Sequence, residues 1–310
     1  MSFLMPDSVQ SHAFQPNPRP LAARFADRPR RSALFMPASN PRALAKARSL
    51  PADIIILDLE DAVAPELKDE AREAALATVY SGGFGNREVA IRVNALDTPW
   101  GAADLAAVTG CGVDAVLVPK VNGPDDVLAY HQALAHAPAD LQLWTMIESC
   151  GSFLRLDAMG ALAASTRLTL WVAGTNDLAR EMRARPGPDR RVFQPMLSFA
   201  VAAARAHGIA ILDGVCNEFR DLDAFRAEVE QGLELGFDGK SLIHPDQIGP
   251  CNTVFTPSAA ELAAAGRIID AFAQPEAAGK GAIRVDGKMV ELLHLEEAQR
   301  LVALAKRIEG

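Results

Sequence analysis

The stretch Ile54-Ile55-Ile56-Leu57-Asp58-Leu59-Glu60-Asp61-Ala62 decides the fold class of this chain. Its apolar, β-branched first half is typical of a parallel strand that is buried on both faces. Three carboxylates follow within four positions, and α/β barrels and doubly wound sheets carry their chemistry at the carboxyl ends of their strands. Since Asp and Glu are rarely buried without a partner or a cation, this cluster indicates a functional site. The alternative is a helix cap, in which Asp58 or Asp61 starts the next helix.

Outward from this stretch, short apolar runs alternate with Ala-rich stretches of helical length from Arg31 onward. The predicted strands lie at residues 33–36, 53–59, 89–93, 115–118, 141–147, 168–173, 209–212 and 239–243. Helices are predicted between them, for example at residues 41–50, 68–80, 196–207 and 222–235. Eight strands that alternate with helices predict an α/β fold of the (β/α)8 TIM barrel type, whose domains run to about 250 residues. A doubly wound open sheet is the alternative, weakened by the absence of a G-x-G-x-x-G turn after the first strand.

The pattern divides the chain into three parts. Residues 1–30 are expected to form an irregular N-terminal arm, because this segment is rich in Pro, Ser and Arg and shows no sustained period. Residues 31–256 are expected to form the catalytic barrel. After about residue 257 the strand pattern stops, and residues 259–273 and 292–308 read as helices joined by a Gly-containing loop. This C-terminal helical extension would cap the barrel or reach a neighbouring subunit.

Composition excludes several classes of protein. The 310 residues are 49% hydrophobic, enough for one large core, and the net charge of −8 argues against a nucleic-acid-binding surface. The sequence contains no run of about eighteen uncharged apolar residues, so no membrane span is predicted. Because the first thirty or so residues also lack the apolar stretch of a signal peptide, we expect a cytoplasmic protein. The four cysteines are widely spaced and predict neither a zinc site nor disulfides.

Polar residues also follow the other predicted strands. They are Arg92 and Asn94 after the third strand, Lys120 after the fourth, Glu148 after the fifth, and Asn176 and Asp177 after the sixth. Glu148 and Asp177 could supply carboxylate oxygens to a hard cation such as Mg²⁺. Histidine and cysteine are missing from these places, which argues against zinc. The alternatives are that Asp177 is a helix cap and that Glu148 pairs with an arginine on the rim.

Arg92 ends a strand that is otherwise suited to the interior. A guanidinium held there would be costly without an anion, and its fork matches a carboxylate in two parallel hydrogen bonds. Arg92 therefore predicts a substrate with a carboxylate. Beside a metal, the site suits a 2-keto or 2-hydroxy acid and the making or breaking of a carbon–carbon bond.

Several motifs closely resemble the citrate lyase β-subunit-like family of acyl-CoA lyases, which are related to malyl-CoA and citramalyl-CoA lyase. They lie at residues 31–42 (RSALFMPASNPR), 57–63 (LDLEDAV) with Lys68 and Arg72 beyond, 92–94 (RVN), 118–120 (VPK), 147–149 (IES), 174–178 (GTNDL) and 238–245 (DGKSLIHP) with Gln247. The resemblance runs in consistent order from about residue 30 to the end. It implies a Mg²⁺-dependent barrel that cleaves or makes 3-hydroxyacyl-CoA thioesters of the malyl, citramalyl or citryl type, with acetyl-CoA and a keto acid as products.

Matched residue by residue, the resemblance implies that Glu148 and Asp177 are the metal ligands and that Arg92 binds the keto acid. Glu60 and Asp61 would support the water shell of the metal from the second layer. Further candidates for substrate binding are the strand-end residues Asn94 and Lys120, together with Arg30, Arg31 and Arg42, which could meet the CoA phosphates. The alternative for the three arginines is a solvated basic rim.

The C-terminal segment departs from the family pattern. In the acyl-CoA lyases of this family, a segment Gly-x-Met-Ile-Asp-x-Pro gives an acid/base aspartate to the site of an adjacent subunit. Residues 287–293 match it, but Glu291 stands in place of the aspartate and the proline is absent. We expect Glu291 to be the catalytic proton carrier and to act in a homo-oligomer, such as a trimer or a dimer of trimers.

Three functions remain open from the sequence. The first is the carbon–carbon lyase, and the second is a hydrolase of the same thioesters, which would release free CoA without a keto acid. The third is a ligand-binding homologue without chemistry, for which the altered C-terminal segment is the only hint. A metal aldolase that acts on free keto acids is a fourth option, and the lack of a histidine near the first strands argues against it.

Overall fold

A closed barrel of eight parallel strands forms the centre of the computed structural model, which describes residues 28–309. Each strand pairs with the next along the chain, and β8 closes the barrel onto β1. The strands are β1 (Ser32–Pro37), β2 (Ile54–Asp58), β3 (Glu88–Arg92), β4 (Ala115–Val118), β5 (Gln142–Ile147), β6 (Leu168–Ala173), β7 (Ala210–Asp213) and β8 (Gly239–Leu242). The predicted (β/α)8 barrel is therefore confirmed.

Both faces of the strands are buried, which explains their continuous apolar runs. In β2, Ile54 and Ile56 point into the barrel interior, whereas Ile55 and Leu57 pack under the surrounding helices. Because each face meets apolar neighbours, the strand has no solvent side on which polar residues would alternate. Asp58, the last residue of β2, is the first charged residue of the strand, and its carboxylate is paired with Arg92.

Helices connect the strands and cover the barrel. They are α1 (Pro41–Ala47), α2 (Lys68–Tyr80), α3 (Gly101–Val108), α4 (Pro124–Ala133), α5 (Cys150–Phe153), α6 (Leu156–Gly160), α7 (Thr175–Met182), α8 (Gln194–Ala206), α9 (Leu222–Leu235), α10 (Ile248–Phe255), α11 (Ala259–Phe272) and α12 (Leu292–Glu309). The helix after β2 begins only at Lys68, so neither Asp58 nor Asp61 caps it. None of the helices between residues 28 and 309 is both long and apolar enough to cross a membrane.

Arg30 closes the amino-terminal end of the barrel. Its guanidinium donates to both carboxylate oxygens of Glu88 at 2.6 and 2.9 Å, and it lies over the ring of Trp144. Gln142 joins the same buried cluster through a hydrogen bond of 3.2 Å from Arg30. Arg30 is thus part of the barrel rather than of an arm, which corrects the predicted boundary. The predicted arm up to residue 27 lies outside the described residues.

The C-terminal extension contains a β-hairpin that the sequence pattern did not predict. Strands β9 (Ala282–Val285) and β10 (Lys288–Glu291) pair in antiparallel fashion between α11 and α12. Asp286 and Gly287 connect them with positive φ angles of 51° and 79°, as a two-residue Asp-Gly hairpin turn requires. The two predicted helices are confirmed, but the expectation that no strand follows residue 257 is wrong. Helix α11 packs against α12, so the extension has contacts of its own.

Candidate active site

Glu148 lies one residue beyond β5 at the mouth of the barrel, and only 4% of its surface is exposed. Its Oε1 accepts a hydrogen bond of 2.7 Å from the backbone N–H of Lys120, at the end of the neighbouring strand. On the other side, Gly174 leaves the space that the carboxylate fills. A Cβ atom at Gly174 would lie 2.6 Å from Oε2 of Glu148 and would also collide with its Cβ. The backbone around Glu148 is therefore shaped to hold a carboxylate in one position.

The surroundings of Glu148 favour a cation. Burial, together with the negative charges of Asp177 and Glu60, raises the pKa of Glu148 to about 7, against the lowering effects of the Lys120 N–H and the charge of Arg92. Carboxylates that repel one another in a buried place are relieved by a divalent cation between them. Glu148 thus has the electrostatics of a metal ligand.

Asp177 is the third residue of α7, which follows β6, and 21% of its side chain is exposed. Gly174 occupies the N-cap position, so Asp177 is not the cap. Its Oδ1 forms an ion pair of 2.7 Å with Arg180, an exposed side chain one turn along the helix. Exposed pairs of this kind are worth only a few tenths of a kcal/mol. Asp177 is therefore held loosely enough to exchange Arg180 for another cation.

The residues at this mouth fit Mg²⁺. Glu148 and Asp177 offer hard carboxylate oxygens, and Mg²⁺ is commonly bound by one or two carboxylates together with water and substrate. Between residues 28 and 309, no group of three or more His, Cys, Asp or Glu side chains could hold a metal ion alone. The remaining positions around the ion would therefore be filled by water or by a ligand.

Arg92 projects from the carboxyl end of β3 toward the same mouth. Its Nε and Nη2 donate to the two oxygens of Asp58 at 2.7 Å each, and Nη1 lies 3.0 Å from Oε2 of Glu60. The guanidinium also lies over the ring of Phe35 at 4.7 Å. The protein itself thus supplies the anions, which corrects the argument that Arg92 needs a substrate carboxylate. Because a guanidinium has five N–H groups, the terminal nitrogens still have donors for a ligand.

Glu60 connects Arg92 with Lys120. Its Oε1 accepts from Nζ of Lys120 at 2.5 Å, and Asp61 lies 3.5 Å from the same ammonium. Burial would lower the pKa of Lys120, but the hydrogen bond to Glu60 and the charges of Glu60, Asp61 and Glu148 outweigh it and raise the pKa. The structure therefore places Glu60 in a chain of alternating charges, where both of its oxygens are engaged. Asp61 is the more exposed of the two predicted supporting carboxylates.

Lys120 has a left-handed backbone conformation with φ of 55°. This conformation is uncommon for a residue with a side chain and costs conformational energy. It directs the backbone N–H to Glu148 while the side chain reaches Glu60. Lys120 therefore links the candidate metal ligand with the charged cluster around Arg92.

The side-chain amide of Asn94 is fully hydrogen-bonded within the protein, so it has no free polar group for a ligand. Its Nδ2 donates to the carbonyl of Leu59 at 3.0 Å and to Asp104 at 2.6 Å, and its Oδ1 accepts from Nζ of Lys68 at 2.7 Å. All of its amide groups are engaged in a buried network. The prediction that Asn94 binds substrate is corrected accordingly: it is part of the wall behind the site.

Two of the three candidate phosphate-binding arginines lie at the wrong end of the barrel. Arg31 precedes β1, and its guanidinium donates to both oxygens of Asp53 at 2.7 and 2.8 Å and to Thr256. Arg30 is buried against Glu88 at the same end. Residues before a strand lie at the amino-terminal end of a parallel barrel, opposite the mouth, so the assignment of Arg31 to substrate is corrected. Arg42, on the first turn of α1 after β1, is exposed at the mouth side.

Glu291 is held within the C-terminal extension. It pairs with Ala282 in the hairpin, and its backbone N–H donates to Nδ1 of His294 at 3.0 Å. The contacts that fix this exposed residue thus lie within the C-terminal extension.

A cavity of about 250 Å³ opens beside the mouth and shares Glu60 and Lys120 with it. Its other lining residues are Asp61, Val63, Pro65, Lys68, Asn94, Ala95, Thr98 and Trp100.

Two polar residues near the site were not assigned a role there from the sequence. Asp104, whose buried carboxylate accepts a hydrogen bond from Asn94, lies inside a helix, where the sequence pattern does not mark it. Asn176 exchanges two amide hydrogen bonds with Asn217 and ties α7 to the loop after β7.

The fold agrees with the comparison to known families. The chain belongs to the HpcH/HpaI aldolase/citrate lyase family, whose model matches residues 31–245. The resemblance found in the sequence is thereby confirmed.

Similar proteins include one named a thioesterase and one named a lyase. A protein of Cereibacter sphaeroides named (3S)-malyl-CoA thioesterase is 48% identical over 280 residues, which cover 90% of this chain and 96% of that protein. An L-malyl-CoA/beta-methylmalyl-CoA lyase of the same species is 32% identical over 314 residues, covering 91% and 96%. A crystal structure of the protein CitE from Mycobacterium tuberculosis in complex with magnesium, acetoacetate and coenzyme A has a TM-score of 0.72 and 28% identity, covering 89% of this chain and 97% of that one.

Proposed function

We propose that this chain is a Mg²⁺-dependent enzyme that hydrolyses a 3-hydroxyacyl-CoA thioester of the malyl class. The observation that carries the proposal is the pair Glu148 and Asp177 beside Arg92 at one barrel mouth. Hydrolysis, rather than carbon–carbon cleavage, is favoured by the 48% identity to a malyl-CoA thioesterase, against 32% to a malyl-CoA lyase.

The groups at the mouth have separate tasks in this proposal. Glu148 and Asp177 would hold Mg²⁺, which supplies Lewis acidity to a carbonyl oxygen and lowers the pKa of a bound water. The terminal N–H groups of Arg92 bind the carboxylate of the hydroxyacyl group, and its bonds to Asp58 fix their direction. Lys120 balances the charge of the neighbouring carboxylates.

The bonds made and broken in hydrolysis are few. The oxygen of water adds to the thioester carbonyl carbon, the carbon–sulfur bond breaks, and the sulfur of CoA leaves with a proton. The products are free CoA and the hydroxy acid. Glu291 of a neighbouring chain is the proposed proton carrier, so the active form would be at least a dimer, and a trimer or a dimer of trimers is equally allowed.

The lyase is the second candidate. It is supported by the malyl-CoA lyase relative and by the acetoacetate and coenzyme A of the solved CitE structure. In that reaction, a base takes the hydroxyl proton, the carbon–carbon bond breaks, and the acetyl-CoA enolate takes up a proton. Arg92 would then hold the keto acid, as the resemblance implies.

One experiment separates the two candidates. The purified protein is incubated with malyl-CoA or citramalyl-CoA in water enriched in oxygen-18, with Mg²⁺ or with a chelator, and the products are followed by mass spectrometry. Hydrolysis predicts free CoA and a hydroxy acid that carries one heavy oxygen in its new carboxylate. Acetyl-CoA with glyoxylate or pyruvate would assign the lyase instead, and acetyl-CoA offered alone controls for general thioesterase activity. Turnover that is unaffected by the chelator would contradict the metal assignment.

A further inference from the structure

The turn that carries Glu60 lies between β2 and α2 and is not part of either element. Backbone hydrogen bonds from Leu59 to the carbonyl of Arg92 and from Val63 to the carbonyl of Glu60 restrain the residues around Glu60, and a single 3-10 turn at Pro65–Leu67 follows them. Yet the carboxylate of Glu60 must be well placed, since it contacts Arg92 and Lys120 at the same time. Something besides regular secondary structure has to fix this turn.

Lys68, the first residue of α2, reaches back to the turn. Its ammonium donates to the carbonyls of Leu59 and Glu60 at 2.8 Å each and to Oδ1 of Asn94 at 2.7 Å. All three N–H groups of the ammonium are thus used, and the ring of Trp100 lies 5.3 Å from it. Lys68 therefore acts as a clamp that holds the backbone of Leu59 and of Glu60 itself in place.

Lys68 is costly at this position. Its side chain is almost fully buried, with 6% of the residue exposed, and a positive charge at a helix N-terminus is opposed by the helix dipole. Burial also lowers its pKa, against the raising effect of nearby carboxylates. A neutral side chain would pack there more easily, so packing does not explain the residue.

The clamp is itself anchored. Asn94, which accepts from Lys68, donates to Asp104, and Asp104 accepts from Arg72 at 2.7 Å. This network joins α2, α3 and the end of β3 to the Glu60 turn. Movement of the turn would require several buried hydrogen bonds to break together.

We propose that Lys68 is a positioning residue for the reaction: it fixes the Glu60 turn so that the Glu60 carboxylate holds Arg92 and Lys120 in their working orientation. Lys68 touches neither of the candidate metal ligands through its ammonium, so it acts on the substrate side of the site. The effect on turnover rests on the proposed function, whereas the ordering of the turn does not.

Three proteins test the assignment. Lys68→Met removes the ammonium, and Lys68→Cys treated with 2-bromoethylamine restores an ammonium at nearly the same distance from the backbone. Arg167→Met is the matched control, because Arg167 is also a buried cation that donates to three backbone carbonyls, those of Ala137, Pro138 and Leu141, but at the amino-terminal end of the barrel. Wild-type protein treated with the reagent controls for modification of its four cysteines.

Hydrogen exchange followed by mass spectrometry measures directly how well the backbone of the Glu60 turn is protected. We expect faster exchange in the segment 58–67 in Lys68→Met, recovery in the aminoethylated Cys variant, and no change there in Arg167→Met. Unchanged exchange in Lys68→Met would overturn the proposal, whether or not the protein has the proposed activity.

Kinetic measurements test the expected effect of Lys68→Met on turnover. We expect kcat to fall about 10- to 100-fold in Lys68→Met, the scale of a misplacement near 1 Å, with Mg²⁺ affinity within about twofold of wild type and with kcat recovered on aminoethylation. A Lys68→Met protein that keeps wild-type kcat per folded molecule would reduce Lys68 to a structural role and overturn the assignment. If wild type turns over no thioester, the proposed function fails, and the exchange measurement alone decides whether Lys68 orders the turn.

Discussion

Asp58 and Arg92 lie opposite each other in the register of β2 and β3, and two parallel hydrogen bonds of 2.7 Å join them. Asp58 is almost fully buried, so neither water nor an exposed side chain can replace the pair easily. The fork of Arg92 is thereby fixed before any ligand arrives. Such fixed donors need no reorganisation when charge develops on a substrate.

Replacement of Arg92 by Lys tests this fixed fork. Arg92→Lys keeps the charge but loses the bidentate geometry toward Asp58 and toward a ligand carboxylate. We expect kcat/KM to fall by about 10²-fold or more, with Mg²⁺ affinity largely retained. Steady-state kinetics and calorimetric Mg²⁺ titration measure the two effects. An equal loss of Mg²⁺ affinity would mean that Arg92 acts through the metal site rather than on the substrate.

Asp177→Asn tests the metal assignment. An amide keeps the size of the side chain but lacks the negative charge, so we expect Mg²⁺ affinity and activity to fall together, by about tenfold or more. Arg180→Gln is the control in the same helix, because it removes the partner of Asp177 and leaves the carboxylate free for the ion. That control should bind Mg²⁺ at least as tightly as wild type. Full activity of Asp177→Asn in the presence of chelator would refute the assignment.

Gly174→Ala tests whether the space beside Glu148 matters. The new methyl group would collide with the Cβ and Oε2 of Glu148 and displace its carboxylate. We expect a loss of Mg²⁺ affinity and of activity by about 10²-fold, the scale of a 1 Å displacement. Gly249→Ala is the control, since a Cβ atom there meets no other atom within 4 Å. If both variants retain wild-type Mg²⁺ affinity, the close fit around Glu148 has no functional role.

The sequence predicted what depends on strand period and strand ends. Glu148 and Asp177 follow apolar runs whose carboxyl ends meet at one mouth, so their common location was predictable. Arg31 was misassigned because a basic residue next to a strand was counted without regard to which end it occupied. The pairing of Arg92 with Asp58 depends on the register between β2 and β3. A single sequence does not give this register, so the pairing was not predicted.

The hairpin and the network behind the site were hidden for other reasons. Each strand of the hairpin has only four residues, mostly exposed, so the apolar run that marks a buried strand is absent, although Asp286-Gly287 is a hairpin turn signal. Asn94 stands at a strand end like the candidate metal ligands, and only its contacts with Lys68 and Asp104 indicate a supporting role.

Glu88→Gln tests the closure of the barrel by Arg30. Burial would raise the pKa of Glu88, but the hydrogen bonds and charge of Arg30 hold it below its ordinary value of 4.5. A carboxyl whose pKa is lower in the folded state contributes stability above its unfolded pKa and loses it as the pH falls through the folded pKa. The destabilisation by Glu88→Gln, about 3–5 kcal/mol near neutral pH for a broken buried pair, should therefore shrink below about pH 4.5. Urea unfolding from pH 3 to 7 measures it, and a pH-independent difference would contradict the ion pair.

Mixing of two inactive variants tests the role of Glu291 across subunits. Glu291→Gln lacks the proposed proton carrier, and Asp177→Asn lacks a candidate metal ligand, so each alone should have about a tenth of the wild-type activity or less. If Glu291 of one chain completes the mouth of its neighbour, hybrid oligomers contain sites with both groups intact. For a dimer, random mixing in equal amounts would restore about a quarter of the sites. Glu291→Asp should retain more activity than Glu291→Gln, because it keeps a carboxylate for proton transfer. Refolding of the two variants together, followed by an activity assay and by measurement of the molar mass in solution, gives the answer. No recovery in verified hybrids would contradict a role for Glu291 at the site of a neighbouring subunit.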